Sequence, residues 1–292
     1  MSNPQQTVVV TGASSGFGRD TAERFAAAGW RVFAGIRDPQ GRHAQPAGEL
    51  QRQGIRVVDL EVTDQGSVDR AAAEILADGP VDVLVNNAGA AYFGVVEAFT
   101  PELIQKQFDV NVFGPMRVSR AFLPGMRDRG HGLVVYVSSV VGRLALPFGG
   151  VYASSKWALE ALAETSSYEL TPFGVEVAIV QPGAYGTNIS NSRIGPDDAE
   201  RLGAYDQMTP LAANVFAALA ASAAERDSRE VADAIFALAE QPAGTRPLRT
   251  PVPNDASVAA INDFHAQIQR AALENFGVRE LLPKIPALAA SR

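Results

Sequence analysis

The chain of 292 residues contains no cysteine. That one absence excludes disulfides, a thiol nucleophile, iron–sulfur ligation and cysteine-based zinc sites together. It leaves the redox compartment open. Histidine is nearly as scarce: His43, His131 and His265 are the three, and none stands at metal-ligand spacing from another. No metal site is expected. Positive charge is outnumbered, with 25 Lys and Arg against 32 Asp and Glu and a formal net charge of −7. An acidic surface argues against nonspecific binding to nucleic acid or anionic membranes, yet leaves room for a local basic pocket. No apolar run approaches the roughly 20 residues needed to span a bilayer. The opening MSNPQQTVVV has no basic segment followed by a long apolar stretch, so no signal peptide is expected and the cytoplasm is the default location. Without a secretion signal, the sequon Asn188-Ile189-Ser190 carries no weight.

What is present is a core-forming composition, 47% hydrophobic and 20% charged. Short apolar, β-branched runs at Thr7–Val10, Val32–Ile36, Arg56–Leu60, Val81–Asn86, Leu133–Val137, Val175–Gln181 and Pro247–Val252 read as strands. Several are apolar throughout, as in strands buried on both faces of a parallel sheet. Helix patterns fall at about Gly16–Ala28, Ser67–Ala77, Glu102–Arg127, Tyr152–Thr171, Leu211–Ala224, Arg229–Ala239 and Ser257–Asn275. The alternation predicts an α/β doubly wound parallel sheet of about seven strands, with helices on both faces and extra C-terminal helices. With no linker-like break or repeat, residues 1–292 read as a single domain. Residues 5–190 would form its core, 184–210 a substrate loop and 211–292 C-terminal helices and a tail.

Thr11-Gly12-Ala13-Ser14-Ser15-Gly16-Phe17-Gly18 follows the first strand and opens the first helix. Glycine suits a tight turn, close approach of backbone to a pyrophosphate and close helix–strand packing. The helix N-terminus offers free N–H groups to phosphate. The alternative is a glycine-rich turn without a ligand. The second strand ends Ala34-Gly35-Ile36-Arg37. A carboxylate there would bond the ribose 2′-OH of NAD, whereas an Arg accommodates the 2′-phosphate of NADP. Arg37 favours NADP(H), with NAD(H) the alternative, and Arg42 would assist. Against this, Asp38 would either take the acidic role or pair with Arg37, or Arg37 would be a solvated charge.

Tyr152-Ala153-Ser154-Ser155-Lys156 opens a long helix, and the i, i+4 spacing sets Tyr152 and Lys156 on one face. A phenol has a pKa near 10. An adjacent ammonium and an oxidised nicotinamide would lower it, making Tyr152 a proton donor to a carbonyl oxygen as hydride arrives. Alone, such a pair is usually a surface pair. Its context raises it: Ser139 ends the fifth strand, and Asn86-Asn87-Ala88-Gly89 ends the fourth. Sites in open parallel sheets lie at the carboxyl ends of strands. There Ser139 would orient a substrate oxygen, Asn87 would brace backbone, and Ala88-Gly89 would admit the cofactor.

Taken in order and spacing, the glycine loop, Asn86-Asn87-Ala88-Gly89, Asn111, Ser139, Tyr152-x-x-x-Lys156 and Pro182-Gly183 resemble the short-chain dehydrogenase/reductase family over roughly residues 5–190. The resemblance implies a Rossmann-like fold and an NADP-preferring, carbonyl reductase-like activity. Tyr152 would be the acid–base residue. Lys156 would lower its pKa and hold the nicotinamide ribose, and Ser139 would position the carbonyl. Asn111 would hold a water linking Lys156 to solvent. Gly12, Ser14, Ser15, Gly16, Phe17, Gly18, Arg37, Glu61, Val62, Asn87, Ala88 and Gly89 would contact the cofactor. Pro182 and Gly183 would close over the nicotinamide, with Thr187 near its carboxamide. Two positions depart from the family pattern. Glu61 stands where an adenine-contacting Asp is usual, and Tyr136 where Asn is frequent. The resemblance also implies a homodimer or homotetramer, paired through the helices at Glu102–Arg127 and Tyr152–Thr171.

The stretch 184–209 reads as a lid over a small-molecule carbonyl or alcohol. Leu144, Leu146, Phe148, Tyr92, Phe93 and Tyr185 are candidates for an apolar lining that would favour a hydrophobic ketone or secondary alcohol. The tail after Ser257 would cover the pocket, meet a second subunit or complete the core. Two other functions stay open: a non-catalytic dinucleotide-binding sensor, and an epimerase or dehydratase on the same fold.

Overall fold

Seven strands, the inner ones buried along nearly their whole length, build the centre of the molecule: β1 (Thr7–Thr11), β2 (Arg31–Ile36), β3 (Arg56–Asp59), β4 (Val83–Asn86), β5 (Gly132–Val137), β6 (Val175–Pro182) and β7 (Arg249–Val252). The structure, a computed structural model, describes residues 5–187 and 193–282. The sequon at 188–190 and the tail beyond residue 282 lie outside the described residues. All pairings are parallel, and the strand order is β3-β2-β1-β4-β5-β6-β7. The chain winds outward from β1 to β3, then returns to β4. This leaves a crevice at the carboxyl ends of β1 and β4, where such folds bind ligands. The expected Rossmann-like sheet and its seven strands are therefore present.

Period-2 alternation sorts the strand residues between two cores. Val8, Val10 and Val85 pack with Phe25, Trp30, Val231 and Ile235, beneath α1 (Gly16–Ala27) and the late helix Arg229–Glu240. Val9, Leu84 and Val134 pack with Ile75, Val118, Phe122 and Leu159 on the other face. That second layer contains α3 (Gln65–Ala77), α5 (Gly114–Arg129) and α6 (Gly150–Leu170). A helix not expected from the sequence, α2 (Ala44–Arg52), follows β2 and buries Ala47 and Leu50. Its Pro46 and Gly48 obscure the helical pattern, yet proline is tolerated in a first turn, whose N–H groups have no intrahelical acceptor.

The helix expected over Glu102–Arg127 is divided. It comprises α4 (Pro101–Phe108), a π-turn at Asp109–Phe113 and α5. Pro115 supplies the reason. An unbroken α-helix would need its N–H to donate to the Asn111 carbonyl, and proline has none. The backbone widens by one residue there, as helices do at functional insertions.

The stretch expected to be an irregular lid contains structure where it is described. Ile194 forms a bridge with Tyr92. A short helix, α7 (Ala199–Gly203), follows, and Asp197 accepts from the Thr100 N–H at 2.9 Å and its hydroxyl at 2.7 Å. Then come α8 (Thr209–Ala224), α9 (Arg229–Glu240) and α10 (Ala256–Asn275). α8 is apolar around its circumference, yet Ala223 is its one buried residue. Among the described residues, no helix is long and apolar enough to cross a membrane.

Candidate active site

The turn after β1 is shaped by close approach. Gly12 has φ +68°, and a Cβ there would lie 2.7 Å from Ala88 Cα. The glycine loop and the β4 end can therefore touch only without that side chain. Thr11 and Asn87 lock them. The Thr11 hydroxyl accepts from the Asn87 and Ala88 N–H groups, both at 3.0 Å, and Asn87 Nδ2 donates to the Thr11 carbonyl at 2.9 Å. The bracing role expected of Asn87 has a direct geometric counterpart. Ser15 stands at the N-cap of α1, and its side chain caps nothing, so the first-turn N–H groups keep no side-chain acceptor.

These elements line a cleft of about 270 Å³. Gly12, Ser14, Ser15, Gly16, Phe17, Arg37, Glu61, Val62, Asn87, Ala88, Gly89 and Thr187 all reach it. Gly18 does not. It sits beneath the loop, where a side chain would collide with Asn87 and the Gly12 carbonyl. Arg37 is 55% exposed at the side chain and bonds Glu61 Oε2 at 3.1 Å. Asp38 does not pair with Arg37. Its carboxylate accepts from the Gly41 N–H at 3.1 Å and the Arg42 N–H at 2.8 Å, turning back into its own loop. Arg42 contributes that backbone donor, and His43, not Arg42, joins Arg37 in lining the cleft. Glu61 is occupied twice, since Oε1 accepts from the Thr63 N–H at 3.1 Å.

A second cavity of about 370 Å³ adjoins the first. Ser139, Tyr152, Lys156, Pro182, Gly183 and Thr187 converge on it. Ser139 ends β5 and caps the short turn Val140–Gly142. Its hydroxyl accepts from the Val141 N–H and donates to the Pro182 carbonyl, each at 3.3 Å. The Tyr152 phenol lies close enough to Ser139 for the hydroxyl to act on its pKa. Lys156, buried, donates to the Val137 carbonyl at 2.8 Å, and its Nζ lies 5.8 Å from the centre of the Tyr152 ring. Pro182-Gly183 is no ordinary turn: it continues β6, with the Gly183 N–H donating to the Val252 carbonyl at 2.8 Å.

The electrostatics differ from the expectation of a lowered tyrosine. Burial pushes the Tyr152 phenol up to about 12, opposed by the Ser139 hydroxyl. Burial also pulls Lys156 down to about 8, opposed by the Glu160 carboxylate. With Lys156 turned to a backbone carbonyl, these residues alone keep the phenol protonated. A cationic nicotinamide would be the remaining source of depression.

The π-turn places Asn111. Its Oδ1 accepts from the Ala90 N–H at 2.9 Å, while Nδ2 donates to the Ala90 carbonyl and the Ser155 hydroxyl, each at 3.0 Å. Asn111 thus ties the β4 loop to α6. A Cβ at Gly89 would lie 3.4 Å from Asn111 Oδ1 and 3.8 Å from Lys156 Nζ, so Asn111 and Lys156 flank the same glycine. Tyr136 fits its departure from the family pattern. Its buried phenol bonds the Ser119 hydroxyl at 2.9 Å, and Asn86 Nδ2 donates to that same oxygen at 3.0 Å.

Of the candidate lining residues, Leu146, Phe93 and Tyr185 reach the cavity. Tyr92 is packed instead with Phe99 and Val151. Leu144 and Phe148 do not line it, and Phe148 packs near Phe216 with ring centres 6.4 Å apart. Sequence reasoning missed Leu219, Ala220, Ala223 and Ala224, the end of α8, which form part of the wall. The helix is alanine-rich and apolar on every side, so its sequence does not mark the face that meets the cavity. Among the described residues, no acidic side chain lines this cavity.

Comparison with known proteins gives the same picture. A family model for short chain dehydrogenases matches residues 6–196. An uncharacterized oxidoreductase of Bacillus subtilis, YusZ, is 39% identical over 190 residues, covering 63% of this chain and 67% of that one. The chain spans about two thirds of the length of the curated relatives it matches. An alcohol dehydrogenase of the archaeon Thermococcus sibiricus, complexed with 5-hydroxy-NADP, superposes with a TM-score of 0.68 at 30% identity over 85% of this chain and 96% of that one. A short chain dehydrogenase/reductase of Burkholderia phymatum, in complex with NAD, gives 0.72 at 27% identity over 91% and 94%. With a family model matched over residues 6–196, well over half of the chain, and a relative 39% identical, the chain belongs to the short chain dehydrogenase family.

Proposed function

We propose that this protein is an NADP(H)-dependent oxidoreductase that transfers hydride between the nicotinamide and a carbonyl or secondary alcohol carbon. One observation carries the reading: Ser139, Tyr152 and Lys156 converge on a cavity that adjoins the cleft of the glycine loop, through shared residues Phe17, Asn87, Gly89 and Thr187. The dinucleotide, when bound, supplies or accepts the hydride. Gly12, Ser14, Ser15 and Gly16 would hold its phosphates at the uncapped start of α1. Ser139 would hold the substrate oxygen, and Tyr152 would give that oxygen its proton. The protonated phenol favoured by burial is the form needed for reduction. Lys156 would hold the nicotinamide ribose and the charge beside Tyr152. NADP is favoured over NAD because Arg37 faces the cleft while the carboxylate of Asp38 is taken by its own turn.

The substrate proposed is a hydrophobic ketone or the matching secondary alcohol. Phe93, Val141, Leu146 and Leu219 supply an apolar wall, and among the described residues no carboxylate faces it. Pairing of two copies through the segments Glu102–Arg127 and Tyr152–Thr171 belongs to the same proposal, supported by Phe113 and Trp157, each about half exposed on them.

Calorimetric titration with NADPH and with NADH is the first test, followed by Tyr152→Phe. The variant should bind NADPH as before and lose turnover by about a hundredfold or more. Binding of neither dinucleotide would sink the reading. Turnover that survives Tyr152→Phe would remove the tyrosine from it, and a chain that binds NADPH without turning over any carbonyl would be a sensor.

A further inference from the structure

Behind the cavity lies a buried polar group that the chemistry above does not use. Tyr152, Lys156, Glu160 and Glu164 follow one another on α6 at steps of four, along one face. Glu160 is buried. Its Oε1 accepts from the Ser138 hydroxyl at 2.9 Å and from Gln181 Nε2 at 2.7 Å, and its Oε2 accepts from Arg249 Nε at 2.9 Å. Ser138 immediately precedes Ser139, and Gln181 immediately precedes Pro182. The turn after Ser139 rests on the same carboxylate: a Cβ at Gly142 would lie 2.7 Å from both Glu160 Oε1 and Ser138 Oγ. Gln181 Oε1 in turn accepts from Asn262 Nδ2, on α10, at 2.7 Å.

Stability alone does not account for such a group, because a buried charged cluster is often no better than well-packed apolar side chains. What it provides is position. One carboxylate holds the ends of β5 and β6, the start of β7 and the middle of α6 at a single point. We propose that Glu160 is a positioning residue of this enzyme: it fixes Ser139 and Pro182 relative to Lys156, and through Gln181 and Asn262 it makes the C-terminal helix part of the site's framework. This rests on the roles proposed above for Ser139, Tyr152 and Lys156.

The carboxylate also acts by its charge. One turn from Lys156, it raises the pKa that burial lowers. The groups facing Glu160 are Glu164 on α6, Arg249 on β7, Arg143 after β5 and His265 on α10. Those facing Lys156 are Tyr152 on α6, the Val137 carbonyl on β5 and Asn111 on the π-turn. Of the latter set none is anionic, so removing the Glu160 charge lets Lys156 lose its proton at lower pH.

Glu160→Gln is the test. Arg249 keeps Glu164, at 2.7 Å, so no guanidinium is left unpaired. In carbonyl reduction the variant should lose about tenfold or more in kcat, with the KM for NADPH within about twofold. The alkaline limb of kcat should move to lower pH by about one unit. Hydrogen exchange, which needs no turnover, should quicken at Val140–Gly142 and Gly183 while β1 and β4 stay protected. Asn262→Ala, outside the cavity, should loosen the same amides to a smaller degree and leave the alkaline limb in place. It also serves if Glu160→Gln does not fold. Wild-type kcat, pH limb and exchange in Glu160→Gln would overturn the inference. If wild-type enzyme shows no turnover, the function proposed above fails instead, and exchange alone decides whether Glu160 positions the Ser139 turn: faster exchange there supports it, unchanged exchange overturns it.

Discussion

Arg37 and Glu61 face each other at the ends of neighbouring strands, guanidinium to carboxylate at 3.1 Å, on the rim of the cleft beside the glycine loop. A 2′-phosphate would draw on the same guanidinium. Arg37→Ala should therefore weaken NADPH binding about tenfold, a modest value because the pair is exposed, and leave NADH nearly unchanged. Glu61→Gln should shift preference further toward NADPH, about two- to fivefold, by removing a competing anion. Calorimetric dissociation constants for both dinucleotides check this, and an Arg37→Ala protein that binds NADPH as tightly as before would remove the assignment.

A pH dependence of stability follows from Lys156. Burial lowers its pKa from 10.5 to about 8 in the folded chain. Between those values the unfolded chain holds a proton that the folded chain has released, so this residue adds stability as pH rises through the window. Tyr152 acts with the opposite sign, but only above its unfolded value of 10.0, since its folded value is about 12. From pH 8 to pH 10, wild-type protein should gain melting temperature relative to Lys156→Met, by about 2–4 °C per kcal/mol of linkage. Parallel melting curves across that range would mean that Lys156 keeps its proton when buried.

The wall contributed by α8 should show in substrate choice. Leu219→Gln places an amide in an apolar cavity, and kcat/KM for a bulky apolar ketone should fall about tenfold or more. A small polar ketone should lose much less. Equal losses for both would indicate that α8 acts on the fold and not on the substrate.

Tyr136 offers a control away from the chemistry. Its buried phenol shares the Ser119 hydroxyl with Asn86. Tyr136→Phe should cost about 1–2 kcal/mol in urea denaturation, by leaving that hydroxyl short of a partner. The kinetic constants should stay within about twofold. A large fall in kcat would tie this network to the β4 loop more tightly than its hydrogen bonds suggest.

The strands were legible because both faces of a parallel sheet are buried, so Val8, Val9 and Val10 are apolar without alternation. The glycine loop was legible because close approach to Ala88 forbids a Cβ at Gly12. Local spacing failed where a distant partner decided the outcome. Glu160 and Gln181 read as ordinary helix and strand residues, and their meaning arises from four elements meeting. Asp38 read as a competitor of Arg37, and in the structure its carboxylate accepts from the N–H groups of its own turn. The division of the helix at 109–113 was missed: a continuous helix was expected over Glu102–Arg127, although Pro115 has no N–H to give to the Asn111 carbonyl. The lining from α8 was hidden because alanine-rich helix sequence is the same whether it faces a cavity or solvent.

The π-turn between α4 and α5 acts as a phase shifter. An α-helix advances about 100° per residue, so side chains before and after an unbroken stretch are tied to one angular frame. The wide turn at Asp109–Phe113 resets that frame. Asn111 can point at the β4 loop while Val118, Phe122 and Met126 keep their side of α5 against the sheet. Orientation at the site and packing in the core are thereby uncoupled along one continuous segment, and shortening it by a single residue would force a choice between them.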